Sequence, residues 1–290
     1  MLDFIINPIA GGKHGKKTKK TVATIETYLN RRGVKYNIHL TSYKGHAKDL
    51  TEKLIKDGAT DIICVGGDGT LHEVVNGFCH FERANLGLIP CGTGNDFASA
   101  LNIPSDPVKA LDLILDGQPK YTDFMQMPTV RGINVIGTGI DVDVLKRYEK
   151  LKKKNKFGYT MSLIKTLFKF DYAEFSAKVD DKNGDYVAFM AAVSNGNVFG
   201  GGIPICTPAN PTDKKLDFVT VRAIRKIGII NAFLKLKAGK VLKLKTAEHY
   251  PCAEVKITTK NPCTVNVDGE LYENIPFEVK IVSDTLKMYR

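Results

Sequence analysis

Residues 62–76, IICVGGDGTLHEVVN, restrict the fold more than any other stretch of the chain. Four apolar residues (Ile62, Ile63, Cys64, Val65) lead into Gly66, Gly67, Asp68, Gly69 and Thr70, and a run with Leu71, Val74 and Val75 on one side follows. The pattern predicts strand, tight turn, helix. The glycines let the backbone adopt positive φ and come close to a polyphosphate, while the helix N-terminus offers unpaired N–H groups and a partial positive charge. Asp68 runs against that logic. A carboxylate in an anion-binding turn repels phosphate unless a divalent cation lies between them, which points to Mg²⁺-nucleotide. The same residues also allow an ordinary glycine-rich βα turn with Asp68 or Thr70 as helix N-cap.

The unit recurs along the first half. Leu2–Ile6 predicts a buried strand that enters Asn7-Pro8-Ile9-Ala10-Gly11-Gly12 and then a basic helix over 16–32. This is not a Walker A loop, because Ala10 stands where its first glycine belongs and Lys17 where Ser or Thr belongs. A strand over 35–40 exits at Thr41-Ser42, and a helix over 46–56 closes at Gly58. A strand over 85–89 opens into the loop 90–98, PCGTGNDFA, and helical segments split by Pro104. Repeated β-loop-α through Leu115 predicts a parallel sheet with helices on both faces, its strand-end loops converging on one ligand crevice. His72 and Phe97 stand where a dinucleotide fingerprint needs its last glycine, which disfavours a Rossmann dehydrogenase.

After Asp123 the texture changes. Helical periodicity persists over 148–170, but most of the remainder reads as short strands (175–179, 186–194, 218–224, 254–258, 264–267 and 277–282) separated by polar turns, the pattern of an antiparallel sandwich. The boundary is expected near 124–130, giving domains over 1–125 and 126–290, with the last strand able to return to the first. At 290 residues with 43% hydrophobic and 25% charged side chains, the chain is of ordinary globular composition. It has no apolar stretch near the ~20 residues of a membrane span and no signal-peptide pattern, so a cytoplasmic protein is expected. The six cysteines lack CxxC spacing and the six histidines lack HxxxH spacing, which favours reduced thiols over disulfides or a zinc site. A net charge of +11 calls for an anionic partner: nucleic acid, phosphorylated metabolite or anionic membrane surface.

Five segments taken in order, NPIAGG at 7–12, GGDGT at 66–70, PCGTGNDFA at 90–98, NGNVFGGG at 195–202 and DGE at 268–270, resemble the bacterial diacylglycerol kinase family of lipid kinases. The resemblance implies an NAD kinase/phosphofructokinase-like α/β domain, a β-sandwich domain, and ATP in the cleft between them. It places Asn7, Pro8, Gly11 and Gly12 on the first nucleotide loop, Thr41 at a strand end, and Gly66, Gly67, Asp68, Gly69 and Thr70 in the phosphate cradle. Thr93 and Asn95 fall on the second loop. Asp68, Asp96 and Asp123 match a carboxylate set that holds Mg²⁺ through waters; Asp123 is also read as lying at the end of a strand over 121–124, and Asp96 as an alternative helix N-cap. Asp268 and Glu270 match the motif that supplies the general base, within a stretch that also reads as an Asp-Gly hairpin turn. A structural divalent site is implied around 208–217, PANPTDKKLD, with Asn210 and Lys215 as carbonyl ligands and Asp213 as the side-chain ligand, although Lys214 replaces the glycine of the pattern.

The expected activity is ATP- and Mg²⁺-dependent transfer of the γ-phosphoryl group to the hydroxyl of diacylglycerol or a related lipid. The expected partners are that lipid and an anionic membrane surface at the inner face of the membrane, with no nucleic acid; a homodimer is left open. The alternatives are an NAD kinase-like soluble kinase, disfavoured because His72-Glu73 replaces its Asn-Glu element, and a basic nucleic-acid-binding protein, which lacks an accompanying signature. Two basic stretches suit docking. Residues 146–156 carry seven basic side chains against Glu149, leading into Phe157, Tyr159, Met161, Leu163, Ile164, Leu167 and Phe168; residues 222–245 carry eight with no acid. The second is read more readily than the first as core apolar residues with solvated lysines.

Overall fold

Continuous apolar runs become the central strands of a parallel sheet in a computed structural model that describes residues 1–11, 15–150, 156–167, 170, 172–224, 228–260 and 263–290. The chain forms two units, Met1–Asp123 with Ser283–Arg290, and Phe124–Val282. In the first, β1 (Leu2–Ile6), α1 (Lys16–Arg31), β2 (Tyr36–Leu40), α2 (His46–Lys56), β3 (Asp61–Gly66), α3 (Asp68–Gly77), β4 (Asn85–Pro90), α4 (Asp96–Ala100) and α5 (Pro107–Asp116) precede β5 (Pro119–Gln126). β1 lies between β2 and β3, pairing in parallel with both, and β4 lies beyond β3. The sheet therefore reverses its winding direction between β1 and β3, and the loops leaving those two strands diverge around a crevice.

Burial explains the sequence pattern. Residues 2–6 and 62–66 are buried throughout, as helix-covered parallel strands require, whereas β2 at the edge is partly exposed. α1 lays Ile25 and Leu29 onto Phe4, Ile63 and Ile89, with Leu111 and Ile114 of α5 completing that core. Glu73 of α3 holds the start of α2, its carboxylate oxygens accepting from the Gly45 N–H (2.8 Å) and the Ala47 N–H (3.1 Å). Glu73, next to the His72 that departs from the NAD kinase pattern, thus caps a neighbouring helix.

The second unit contains β6 (Arg131–Gly132), β7 (Val135–Gly139), α6 (Ile140–Glu149), α7 (Lys156–Leu167), β8 (Ala173–Val179), β9 (Lys182–Ser194), β10 (Val198–Phe199), β11 (Ile203–Pro204) and β12 (Leu216–Arg222). Then follow α8 (Ile229–Lys237), β13 (Ala247–Cys252), β14 (Glu254–Thr259), β15 (Thr264–Val267), β16 (Glu270–Glu273) and β17 (Phe277–Tyr289). The long β9 gives its first half to β8 and its second half to both β7 and β12, all antiparallel. This is a β-sandwich-like domain with two apolar cores, one around Phe175, Phe218 and Phe277 and the other around Phe189, Val219 and Ile229. After Val282, β17 continues into the first unit, where Met288 pairs in parallel with Leu86 of β4 and the Tyr289 hydroxyl donates to Asp61 Oδ1 at 2.5 Å.

Several elements depart from the sequence pattern. β5 extends to Gln126, so Asp123 lies inside a strand and not at its end. Helix starts at Ile140, before the periodic stretch, because Gly139 (φ 100) turns the chain directly out of β7 and Asp141 and Asp143 favour the first helical turn. β7 and β13 carry no alternation to announce them: VIGTG is glycine-rich, and AEHYPC contains a proline and a glutamate.

Gly77 ends α3 against the backbone of α2, where an added Cβ would lie 2.2 Å from the Lys48 carbonyl oxygen. Gly77→Ala is expected to destabilise the protein by about 1–3 kcal/mol, as overpacked sites do, read as a lower midpoint in urea denaturation.

Candidate active site

The three loops at the carboxyl ends of β1, β3 and β4 interlock through backbone contact. A Cβ on Gly92 would sit 2.4 Å from the Gly67 Cα, and one on Gly67 would sit 2.9 Å from the Gly92 Cα, so only glycine fits at either place. Gly11 (φ +76) faces the Cys91 carbonyl oxygen, 2.5 Å from where its Cβ would be. Asn7 joins the first and second loops, its Nδ2 donating to Thr70 Oγ1 (3.1 Å) and its Oδ1 accepting from the Ile9 N–H (3.1 Å). Lys17 Nζ donates to the Gly92 carbonyl oxygen at 3.3 Å, and Thr18 Oγ1 to that of Ala10 at 2.7 Å. Thr41 leaves β2 beside the first loop, its N–H on the Ile6 carbonyl at 2.9 Å, while Thr93 and Gly69 are exposed. Gly12 lies outside the described residues; Pro8 is half-buried, and a Gly15 Cβ would strike its carbonyl oxygen.

The carboxylates have distinct settings. Asp68 is the first residue of α3, whose N-cap is Gly67, so neither Asp68 nor Thr70 caps that helix. Instead Asp68 Oδ1 reaches the next loop and accepts the Phe97 N–H at 3.1 Å. Asp96 is not an N-cap either: Asn95, left-handed at φ 56, occupies that place, and its amide closes the loop onto Gly92 at 2.9 and 3.1 Å. A Cβ on Gly94 would meet Asp68 Oδ2 at 2.8 Å and Asp96 Oδ2 at 3.6 Å, so the two carboxylates border one small space. Hard oxygen donors of this kind fit Mg²⁺ with waters completing its shell. Asp123 is buried in β5 near Arg290; burial lowers the Arg290 pKa, and the Asp123 charge opposes that shift. Arg290 donates to Thr122 Oγ1 (3.1 Å) and to the Tyr121 carbonyl (2.7 Å), a tie that nothing in the sequence pattern marks.

In the second unit, Asp268 and Gly269 form the two-residue turn between β15 and β16, with φ 53 and 95 as a type I′ hairpin requires. The Asp268 carboxylate accepts three backbone N–H groups, from Ile133 (2.8 Å), Asn134 (2.8 Å) and Val135 (3.1 Å). The same segment receives the 195–202 motif: the Asn195 and Gly196 N–H groups donate to the Asn134 carbonyl (each 2.9 Å), and Asn195 Nδ2 donates to that of Ile133 (2.7 Å). The 133–135 turn is therefore the hub that joins two motifs. Glu270, half-exposed, opens β16 and pairs across the ladder with Val267.

The 208–217 segment is a hydrogen-bonded surface turn. The Asn210 carbonyl accepts from the Thr212 N–H (2.7 Å) and the Asp213 N–H (3.3 Å), and Asp213 Oδ1 accepts from the Lys215 N–H (3.1 Å). Lys214 takes the left-handed φ of 63 at the place where the family pattern has glycine.

A further group in the second unit escaped the sequence pattern. Asp141 is buried beside an apolar pocket lined by Ile140, Val144, Phe189, Phe199, Phe233 and Leu236. Its Oδ2 accepts from Asn266 Nδ2 at 3.1 Å, its Oδ1 has no partner among the described residues, and burial raises its pKa to about 6 against that hydrogen bond.

Residues 2–127 match the diacylglycerol kinase catalytic domain, and residues 134–290 match the YegS C-terminal NAD kinase beta sandwich-like domain. The chain belongs to the bacterial diacylglycerol kinase family of lipid kinases. It is 29% identical to the "Probable lipid kinase YegS-like" of Xanthomonas oryzae pv. oryzae (strain MAFF 311018), over 90% of this chain and 88% of that one. To the "Putative lipid kinase YtlR" of Bacillus subtilis (strain 168) it is 27% identical over 95% of both. A crystal structure titled as a putative diacylglycerol kinase from Bacillus anthracis str. Sterne superposes with a TM-score of 0.80 at 25% identity, covering 99% of this chain and 96% of the other. Membership makes this a kinase-type enzyme, and the family implies ATP as phosphoryl donor.

Asp268→Ala is expected to leave three backbone N–H groups without their acceptor and to cost about 3 kcal/mol or more in stability, at about 1–3 kcal/mol for each group left unsatisfied. Asp268→Asn, which keeps one acceptor oxygen, should cost less. Equal unfolding midpoints for the wild type and both variants would contradict this anchoring role.

Proposed function

We propose that this chain is an ATP- and Mg²⁺-dependent kinase that phosphorylates the hydroxyl of a long-chain lipid. The observation that carries the lipid reading is the apolar pocket of the second unit, which holds a single buried carboxyl group at Asp141. Its space of about 40 Å³ is smaller than a ligand cavity, so it marks an apolar surface with one hydrogen-bonding group that hydrocarbon would meet, and it must open to admit a chain. The glycine loops after β1, β3 and β4 bind the phosphates, with Asn7, Gly11, Gly66, Gly67, Gly69, Thr70, Thr93 and Asn95 closest to them. Asp68 and Asp96 bordering one space, together with Asp123, hold the cation. Mg²⁺ in that position supplies neutralisation of phosphate charge.

Glu270 takes the catalytic role that Asp268 is too fully engaged to fill. The Glu270 carboxylate accepts the proton of the lipid hydroxyl as its oxygen attacks the γ-phosphorus, and the bond from that phosphorus to the bridging oxygen of ADP breaks. Asp268 positions Glu270 by fixing the hairpin to the 133–135 turn. Labelled ATP with a panel of lipid acceptors in mixed micelles tests this directly: phosphate should enter a hydroxyl-bearing long-chain lipid and not NAD. Glu270→Gln should lose at least about 10²-fold in turnover while still binding nucleotide. Near-normal turnover in that variant would remove Glu270 from the proton transfer.

The enzyme reaches its lipid by docking on an anionic bilayer, since full extraction costs about 0.8 kcal/mol per exposed CH₂. No helix among the described residues is long and apolar enough to cross a membrane. The more persuasive surface is α8, contrary to the weighting by charge runs. Ala232, Phe233 and Leu236 line the apolar pocket, while Ile230 (57% exposed) and Leu234 (60% exposed) project from the same helix to solvent, one turn apart. Lys237 lies 5.8 Å from the Phe233 ring. Around the first basic stretch, Lys146 and Arg147 donate to Thr264 and Thr166; Lys152, Lys153 and Lys154 lie outside the described residues, as do Phe168 and the side chains of Phe157, Tyr159, Leu163 and Leu167. Sedimentation with vesicles should show binding that rises with anionic lipid fraction, falls with salt, and drops when Ile230 and Leu234 are both changed to Ser. Equal binding to neutral and anionic vesicles would overturn electrostatic docking.

A further inference from the structure

Cysteine and histidine spacing announces no metal site, yet the fold gathers three donors from distant places in the second unit. Cys206 sits in the turn after β11, Asp217 is the second residue of β12, and His249 lies on β13 opposite Val219. Residues 217 and 219 share a face, so the antiparallel register sets His249 diagonally beside Asp217. His249 Nε2 lies 2.5 Å from Asp217 Oδ1, and the thiol, carboxylate and imidazole donor atoms all lie within 4.8 Å of one another. Cys206 is 0% exposed and Asp217 4%, while the His249 side chain is 23% exposed, which leaves one direction open toward solvent.

We propose that Cys206, Asp217 and His249 form a binding site for one divalent transition-metal ion of the Zn²⁺ class. The donor types argue for that class and against Mg²⁺: thiolate and imidazole are ligands for borderline-soft ions, and three protein donors plus a water complete a tetrahedron. The charges also balance, because a thiolate and a carboxylate offset a dication where an isolated buried charge would be costly. Metal bonds of about 2.0–2.3 Å place tetrahedral donors about 3.2–3.8 Å apart, so the Asp217–His249 pair, 2.5 Å apart, would open by about 1 Å on binding. Without metal, burial and the Asp217 charge push the Cys206 thiol up to about 12, so binding must release its proton to solvent. Cys206 and Asp217 bracket the 208–215 surface turn, and the ion would clamp its base.

The site is separate from the hard-oxygen carboxylates Asp68 and Asp96, so its test is independent of the kinase reading. Titration of the full-length protein with Co²⁺ under reducing conditions should give a near-ultraviolet thiolate-to-metal charge-transfer band that saturates at one equivalent and persists in excess Mg²⁺. The band should vanish in Cys206→Ser, and His249→Gln should weaken Co²⁺ binding about tenfold or more, with circular dichroism confirming that each variant is folded. Should Cys206→Ser fail to fold, the His249→Gln titration decides alone. A titration without the band, a band unchanged in Cys206→Ser, or unaltered affinity in His249→Gln would overturn the proposal.

Discussion

The contact between the Gly67 and Gly92 backbones underlies the candidate phosphate site. Two loops that leave neighbouring parallel strands approach so closely that a methyl group on either glycine would fall within 2.4–2.9 Å of the other's Cα. That approach brings Asp68 within reach of the Phe97 N–H and sets its second oxygen beside the Asp96 carboxylate. Two like charges held together favour a dication between them over water alone. Gly66, Gly67, Gly69 and Gly92 do not take positive φ, contrary to the expectation for the 66–69 turn; Gly67 and Gly92 are needed for their lack of a Cβ. They set the distance between the two acids.

The second unit solves a related problem by a different means. Its DGE motif sits on a tight hairpin, and Asp268 converts that hairpin into a fixed point by accepting three N–H groups from the 133–135 turn. The 195–202 motif is bonded to the same turn through Asn195 and Gly196, so segments more than 60 residues apart in sequence share one support. Glu270, two residues beyond the anchored Asp268, inherits that rigidity while staying half-exposed. The three N–H groups that Asp268 accepts make it the anchor of the hairpin.

α8 links the apolar pocket beside Asp141 to the exterior. Apolar on more than one side, it covers the pocket with Phe233 and Leu236 and presents Ile230 and Leu234 outward. A helix of this kind is unusual on a protein surface unless something apolar meets it, and the lysines around it suit an anionic boundary.

Much of the first unit was legible because parallel strands covered on both faces must be continuous apolar runs, and because glycine loops at their ends have few alternative meanings. The strands over 2–6 and 85–89, the breaks at Asn7 and Gly66, the strand over 277–282 and the Asp268-Gly269 turn all follow from local pattern. Local pattern could not separate Asp268 from Glu270, since they flank Gly269 in one hairpin and the groups that anchor Asp268 lie more than 130 residues away at 133–135. It equally hid the grouping of Cys206, Asp217 and His249, which depends on the β12–β13 register, and the outward faces of Ile230 and Leu234, which depend on what α8 packs against. Secondary structure is written in short-range periodicity, whereas side-chain partnership is decided by which strands pair and which faces become covered. Sequence by itself determined the β-loop-α order and the glycine turns; only tertiary structure decided which acids are anchored, which donors meet and which apolar residues remain at the surface.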